Sequence, residues 1–150
     1  MALKARIKDE MKAALLSGDR FVGETLRNLT AAILNEEVKL GKRDEGLSDE
    51  EIEKVVAREV KKRNESAKIY RDNNRPDLAE PEEREIEILQ AYLPKQLAET
   101  ELAAIIEAKI AELSVTGPQA MGQVIGAVKK QVGNAADGAA IARIVKQKLN

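Results

Sequence analysis

The chain has 150 residues, and 25 Lys and Arg stand against 26 Asp and Glu, giving a net charge of −1. Any attraction to nucleic acid or acidic lipid must therefore come from local segregation of charge. Cysteine and histidine are both absent, which excludes disulfides, thiolate nucleophiles, Cys/His zinc sites and imidazole acid–base chemistry. Charged residues make up 34% and aromatics only 2%, with Phe21 the lone Phe. That composition favours helices whose core is built from Leu, Ile, Val and Ala. No apolar run approaches the roughly 20 residues of a membrane span. Met1 to Glu10 lacks the apolar stretch of a signal peptide, and its Asp9 and Glu10 sit badly with an organelle transit peptide. The segment reads as the first amphipathic helix of a cytoplasmic protein.

Leu3, Ile7, Met11 and Leu15 are spaced by four and form one stripe of a helix that stops near Ser17-Gly18. Asp19 is placed to cap a second helix, whose apolar side is Val22, Leu26, Leu29, Ile33 and Leu34. Leu40 to Gly46 holds two glycines among charges and reads as an exposed, mobile loop. Ser48-Asp49-Glu50-Glu51 is a capping box, in which the Ser48 hydroxyl and the Glu51 carboxylate satisfy each other's amides. The helix it opens carries Ile52, Val55, Val56, Val60, Ala67 and Tyr70 to about Asn73, and Arg75-Pro76 closes it. Asp77 can cap a fourth helix, or the regular helix begins at Pro81; Ile86, Leu89 and Leu93 are its stripe. Pro94 marks a domain boundary.

Beyond Pro94 the pattern resets. Leu102, Ile105, Ile106, Ile110 and Leu113 form one amphipathic stripe; Met121, Val124, Ile125, Val128 and Val132 form a second after Gly117-Pro118. Ile141, Ile144, Val145 and Leu149 form a third on a helix capped by Asp137. No strand-like alternation appears. The fold predicted is all-α, with a helical hairpin-type domain over residues 1–94 followed by a small three-helix domain over 95–150.

Thr25-Leu26-Arg27-Asn28-Leu29, Arg58-Glu59-Val60-Lys61-Lys62-Arg63, Asp77-Leu78-Ala79, Glu87 to Pro94 and Met121-Gly122-Gln123-Val124 resemble, in that order, signatures of YqeY-like proteins. The likeness runs from about Leu3 to Leu149. It implies a helical N-terminal domain joined to a C-terminal domain similar to the tail of GatB, the B subunit of the glutamine-dependent aspartyl/glutamyl-tRNA amidotransferase. In that enzyme the tail helps to hold tRNA. The chain departs from the family pattern at Gln123 and Ile125, and again at Gly133-Asn134-Ala135-Ala136, where relatives favour lysines. If those lysines touch phosphate, this chain holds RNA more weakly or through other residues.

The RNA-facing candidates are Lys129, Lys130, Arg143, Lys146 and Lys148, five cations against Asp137 alone in the last stretch of the chain. They could pair with tRNA phosphates, or be ordinary solvated cations near helix C-termini. No aromatic lies between them, so shape and phosphate recognition fits better than base stacking. Gly122, early in its helix, lets a phosphate or another backbone approach closely, the alternative being tight helix–helix packing. Arg58, Lys61, Lys62, Arg63, Lys68, Arg71 and Arg75 read mainly as a solvated helix with pairs such as Glu59 with Arg63. Glu80, Glu82, Glu83, Glu85 and Glu87 spread around a helix and do not read as a metal site. Tyr92-Leu93-Pro94 reads as a packed joint.

The leading expectation is a non-catalytic tRNA-binding or RNA-binding accessory module. A second is a protein-interaction module that docks on an amidotransferase or another translation factor. The third is a carbon–nitrogen ligase activity with glutamine as amido donor, exerted only within a complex. Ser17, Ser48, Ser66 and Ser114 stand isolated, without the Gly/Ser-rich setting that such chemistry needs. No catalytic residue, metal, cofactor or membrane contact is expected.

Overall fold

The computed structural model describes residues 2–150, and all regular structure among them is helical. Helices α1 (Ala2–Ser17), α2 (Arg20–Lys39), α3 (Asp49–Asp72) and α4 (Pro76–Gln90) are followed by α5 (Glu99–Leu113), α6 (Met121–Val132) and α7 (Gly138–Leu149). A 3₁₀ turn over Pro118–Ala120 precedes α6, and another over Gly133–Ala135 follows it. Contacts divide the chain into two compact units, Met1–Leu93 and Pro94–Asn150.

The first unit closes around Ile7, Leu26, Leu29, Ile33, Ile52, Val56 and Leu89. Gly18, at φ +82°, ends α1, and Asp19 then accepts from the Val22 amide at 3.3 Å as the predicted cap. A four-residue step advances about 40° around a helix, so the stripe from Leu3 drifts outward. Leu15 is 42% exposed and Ala14 turns inward instead. The Leu15 side chain lies over Gly23, where an added Cβ would come within 2.5 Å of it, so α1 and α2 cross there on a glycine.

On α2 the inward line runs on from Ile33 to Glu37, which is 2% exposed, while Leu34 faces out. The Glu37 carboxylate takes the Lys4 ammonium at 2.6 Å and the Leu47 amide at 3.3 Å. The segment after α2, expected to be mobile, is therefore tethered. Leu47 is fully buried, the Lys42 amide donates to the Glu37 carbonyl at 2.7 Å, and the Lys42 ammonium pairs with Glu51.

The capping box on α3 forms with both bonds, Glu51 amide to Ser48 Oγ at 3.2 Å and Ser48 amide to Glu51 Oε2 at 2.9 Å. Ser48→Ala is expected to lower the unfolding free energy by about 1 kcal/mol, read as a shift of the urea midpoint at unchanged slope. Asp77 does not cap α4. The helix begins at Pro76, which needs no amide partner in a first turn, and Asp77 pairs with Arg75 at 3.0 Å. Pro81 falls inside α4, where its ring leaves one carbonyl of the preceding turn without its helical donor. Arg63 joins α3 to α4, contacting Glu59 at 3.1 Å and Glu85 at 2.6 Å, and Arg71 reaches Glu83 at 2.7 Å. The glutamates of α4 thus serve in part as ion-pair partners. Tyr92 is buried, its hydroxyl donates to Glu10, and the Arg6 guanidinium lies 4.9 Å over its ring. Burial and the Glu10 carboxylate push the phenol well above its usual pKa, while the same bond holds the Glu10 carboxyl below its own.

The second unit packs the three predicted stripes into one core of Leu102, Ile106, Val124, Val128, Ile141, Ile144 and Val145. Ser114 and Gly117, both at positive φ, turn the chain between α5 and α6. The Leu97 amide donates to the Ala135 carbonyl at 2.8 Å, tying the approach to α5 against the α6–α7 connection. Asp137 occupies the N-cap position of α7, but its side chain makes no capping bond; its carbonyl accepts from Ile141 at 3.1 Å.

Candidate nucleic-acid interface

Helices α6 and α7 carry the five RNA-facing candidates Lys129, Lys130, Arg143, Lys146 and Lys148, and their settings differ. Arg143 extends to Glu99 at 2.8 Å and Lys148 to Glu107 at 2.5 Å, so both are engaged by carboxylates of α5. Lys129 leans over the start of α7: a Cβ added to Gly138 would lie 3.4 Å from its Cε. Lys130 and Lys146 are exposed. Among the described residues, Lys129, Lys130 and Lys146 are in no ion pair.

Gly122 lies in the first turn of α6, on the side turned away from Val124 and Val128. A Cβ added there would meet nothing within 4 Å. Tight packing inside the chain is therefore not what keeps a glycine at this position. Gly126, which was not among the expected site residues, is equally open. Its signal was the four-residue spacing from Gly122, which on a helix sets the two one above the other. Lys129 continues the line at i+7 from Gly122, and Lys130 at i+4 from Gly126. The outer face of α6 is a strip of bare backbone that ends in two ammonium groups.

Among the described residues, no cluster of three or more Asp or Glu could hold a metal ion. The hydroxyls of Ser17, Ser48 and Ser114 are bonded to helix termini, Ser17 to the Ala14 carbonyl at 3.0 Å and Ser114 to the Ala111 carbonyl at 3.4 Å. Among the described residues, no helix is long and apolar enough to cross a membrane.

Comparison with known proteins adds relatives. The chain is similar to "Altered inheritance of mitochondria protein 41, mitochondrial" of Eremothecium gossypii, 36% identical over 115 residues that cover 75% of this chain and 61% of the relative. The protein of the same name from Lachancea thermotolerans is 30% identical over 116 residues, 76% of this chain and 61% of the relative. That from Clavispora lusitaniae is 33% identical over 92 residues, 61% and 52% respectively. The chain thus spans about three fifths or less of the length of these curated relatives. Their names overturn the cytoplasmic expectation. It rested on an acidic, amphipathic first helix, yet α1 is a packed part of the fold, with Ile7 buried and Glu10 bound by Tyr92. Its pattern reports folding and carries no information on destination. A family model described as Yqey-like protein matches residues 4–149, nearly the whole chain, and the chain belongs to that family.

Proposed function

We propose that the chain is a non-catalytic accessory module that holds a folded RNA, such as tRNA, on the outer face of α6. The observation that carries this reading is the strip of Gly122 and Gly126. A glycine inside a helix is roughly 1 kcal/mol less favourable than alanine. Nothing inside the chain offsets that at either position, since both point into open space. A face without side chains admits a sugar–phosphate backbone closely, and Lys129 and Lys130 stand at its end to pair with phosphates. The resemblance of this unit to an amidotransferase tail supports the same ligand. The absence of aromatic residues from α6 and α7 favours recognition of shape and phosphate over base stacking.

Filter-binding titration of tRNA against salt tests the proposal. With Arg143 and Lys148 engaged by α5, about three cations are available, so the log–log salt slope should be roughly −2 to −3. The double variant Gly122→Ala/Gly126→Ala should bind tRNA several-fold more weakly while unfolding later, by about 0.4–1 kcal/mol per site. Opposite signs for binding and stability set recognition apart from damage to the fold. No binding at low salt, or unchanged binding by the double variant, refutes the reading.

A protein partner is the second reading, because the same bare strip would admit a helix in tight contact. Co-purification of a stoichiometric protein partner insensitive to ribonuclease would favour it. Glutamine-dependent amide transfer finds no nucleophile–base pair among the serines to rest on, and glutaminase activity from the pure chain would reverse that judgement.

A further inference from the structure

We propose that the outward face of α2 pairs, antiparallel, with the same face of a second copy of this chain. Glu24, Asn28, Ala31, Asn35 and Lys39 are all exposed, and at about 100° per residue they fall along one side of the helix, opposite Leu29 and Ile33. Val38, 58% exposed, and Leu34, 44% exposed, border them. This face forms one wall of an open groove of about 510 Å³ between α2 and α3, whose far side carries Val55, Arg58 paired with Glu36 and Lys62 paired with Glu59.

The occupant follows from the order of residues along the face. Asn28 and Asn35 stand at equal distances either side of the point between Ala31 and Ala32, and so do Glu24 and Lys39. Laid antiparallel about that point, two copies bring Glu24 of each to Lys39 of the other, and Asn28 of each to Asn35 of the other. Every complementary contact occurs twice, as a two-fold interface requires. A parallel arrangement would set Glu24 against Glu24 and Lys39 against Lys39. Alanine near the axis leaves room for close approach. Carboxamides facing each other can exchange two hydrogen bonds, and among the described residues neither Asn28 nor Asn35 has a side-chain partner within its own chain. Within the chain, Glu24 has only a 3.9 Å approach from Arg27. One helix face with its adjoining groove is smaller than the roughly 800 Å² per partner of a standard interface, so the pairing is concentration-dependent.

Sedimentation velocity on the full chain from about 10 μM to about 1 mM should show a shift from monomer to dimer over that range. Ala31→Glu, at an exposed helical position, should leave the chain monomeric with its unfolding midpoint nearly unchanged. Glu24→Lys and Lys39→Glu should each weaken association about fivefold or more. Combined in one chain, the two reversals restore opposite charges across the axis and should return it to near the original strength. A monomer at every concentration overturns the proposal, and so does a double variant no better than the single ones. A monomer whose tRNA binding falls on Ala31→Glu would assign the face to nucleic acid and overturns it equally.

Discussion

Glu37→Ala is expected to lower the stability of the first unit by about 2–3 kcal/mol. Removing one member of a buried ion pair typically costs about 3–5 kcal/mol, because the other charge is left unpaired away from water. Here Lys4 keeps 23% of its side chain exposed, so water can take up part of the loss. The Leu47 amide cannot be relieved in that way. Leu47 is fully buried, and Glu37 is its acceptor. An orphaned amide of this kind adds about 1–3 kcal/mol of its own. Urea unfolding should show a lower midpoint at unchanged slope, and hydrogen exchange should show the Leu47 amide losing protection first. Glu37→Leu combined with Lys4→Met should recover only the part of the loss that comes from the unpaired charge, since the Leu47 amide still lacks its acceptor. A loss below about 1 kcal/mol for Glu37→Ala would mean that the bonds seen here contribute little.

In the second unit, Ile106→Ala is expected to remove about 2–5 kcal/mol, the range for deleting three methyl or methylene groups from a closed core. Ile106 is fully buried among Leu102, Val124, Val128, Ile141 and Val145. Domains of this size bury a smaller share of their surface than larger ones do and are marginal on their own, so a loss of that size takes up most of what holds the unit together. Hydrogen exchange should show α5, α6 and α7 losing protection while α1 to α4 retain theirs, and the tRNA binding proposed above should fall with the second unit. Uniform loss along both units would show instead that they unfold as one cooperative body.

Much of this fold was legible in the sequence, because apolar spacing carries the helices. The stripes from Leu102, Met121 and Ile141 are the core of the second unit, and the Ser48/Glu51 box opens α3 as its residue types require. The misses have physical reasons. Leu34 reads as inward on hydropathy alone, yet the line Leu26, Leu29, Ile33 continues to Glu37, and a glutamate reads as exposed unless its partner is known. That partner, Lys4, lies a whole helix earlier, beyond any local pattern. Asp77 has the chemistry of a cap, but Arg75 holds its carboxylate and Pro76 opens the helix without one. For the candidate interface, the cations were visible and their engagement was not. Arg143 and Lys148 are bound by Glu99 and Glu107 only because α5 packs alongside α7. Gly122 could not be decided from sequence, since a glycine for inner packing and one for an outer face look alike until the space around them is seen.

The bond from Tyr92 to Glu10 bears on how the chain is made. It joins groups 82 positions apart, and Leu89 and Tyr92 share a core with Ile7. During synthesis α2 follows α1 directly and can cover most of it, but the side of α1 that meets Tyr92 stays open until the residues after α4 have emerged. Closing so long a loop carries an entropic cost that neighbouring helices do not face, and that side of α1 waits uncovered in the meantime. The second unit also closes on a non-adjacent pair, α5 against α7, but over a shorter span, Glu99 to Arg143. The nascent chain therefore completes a slower, long-range closure first and a quicker, shorter-range one after it.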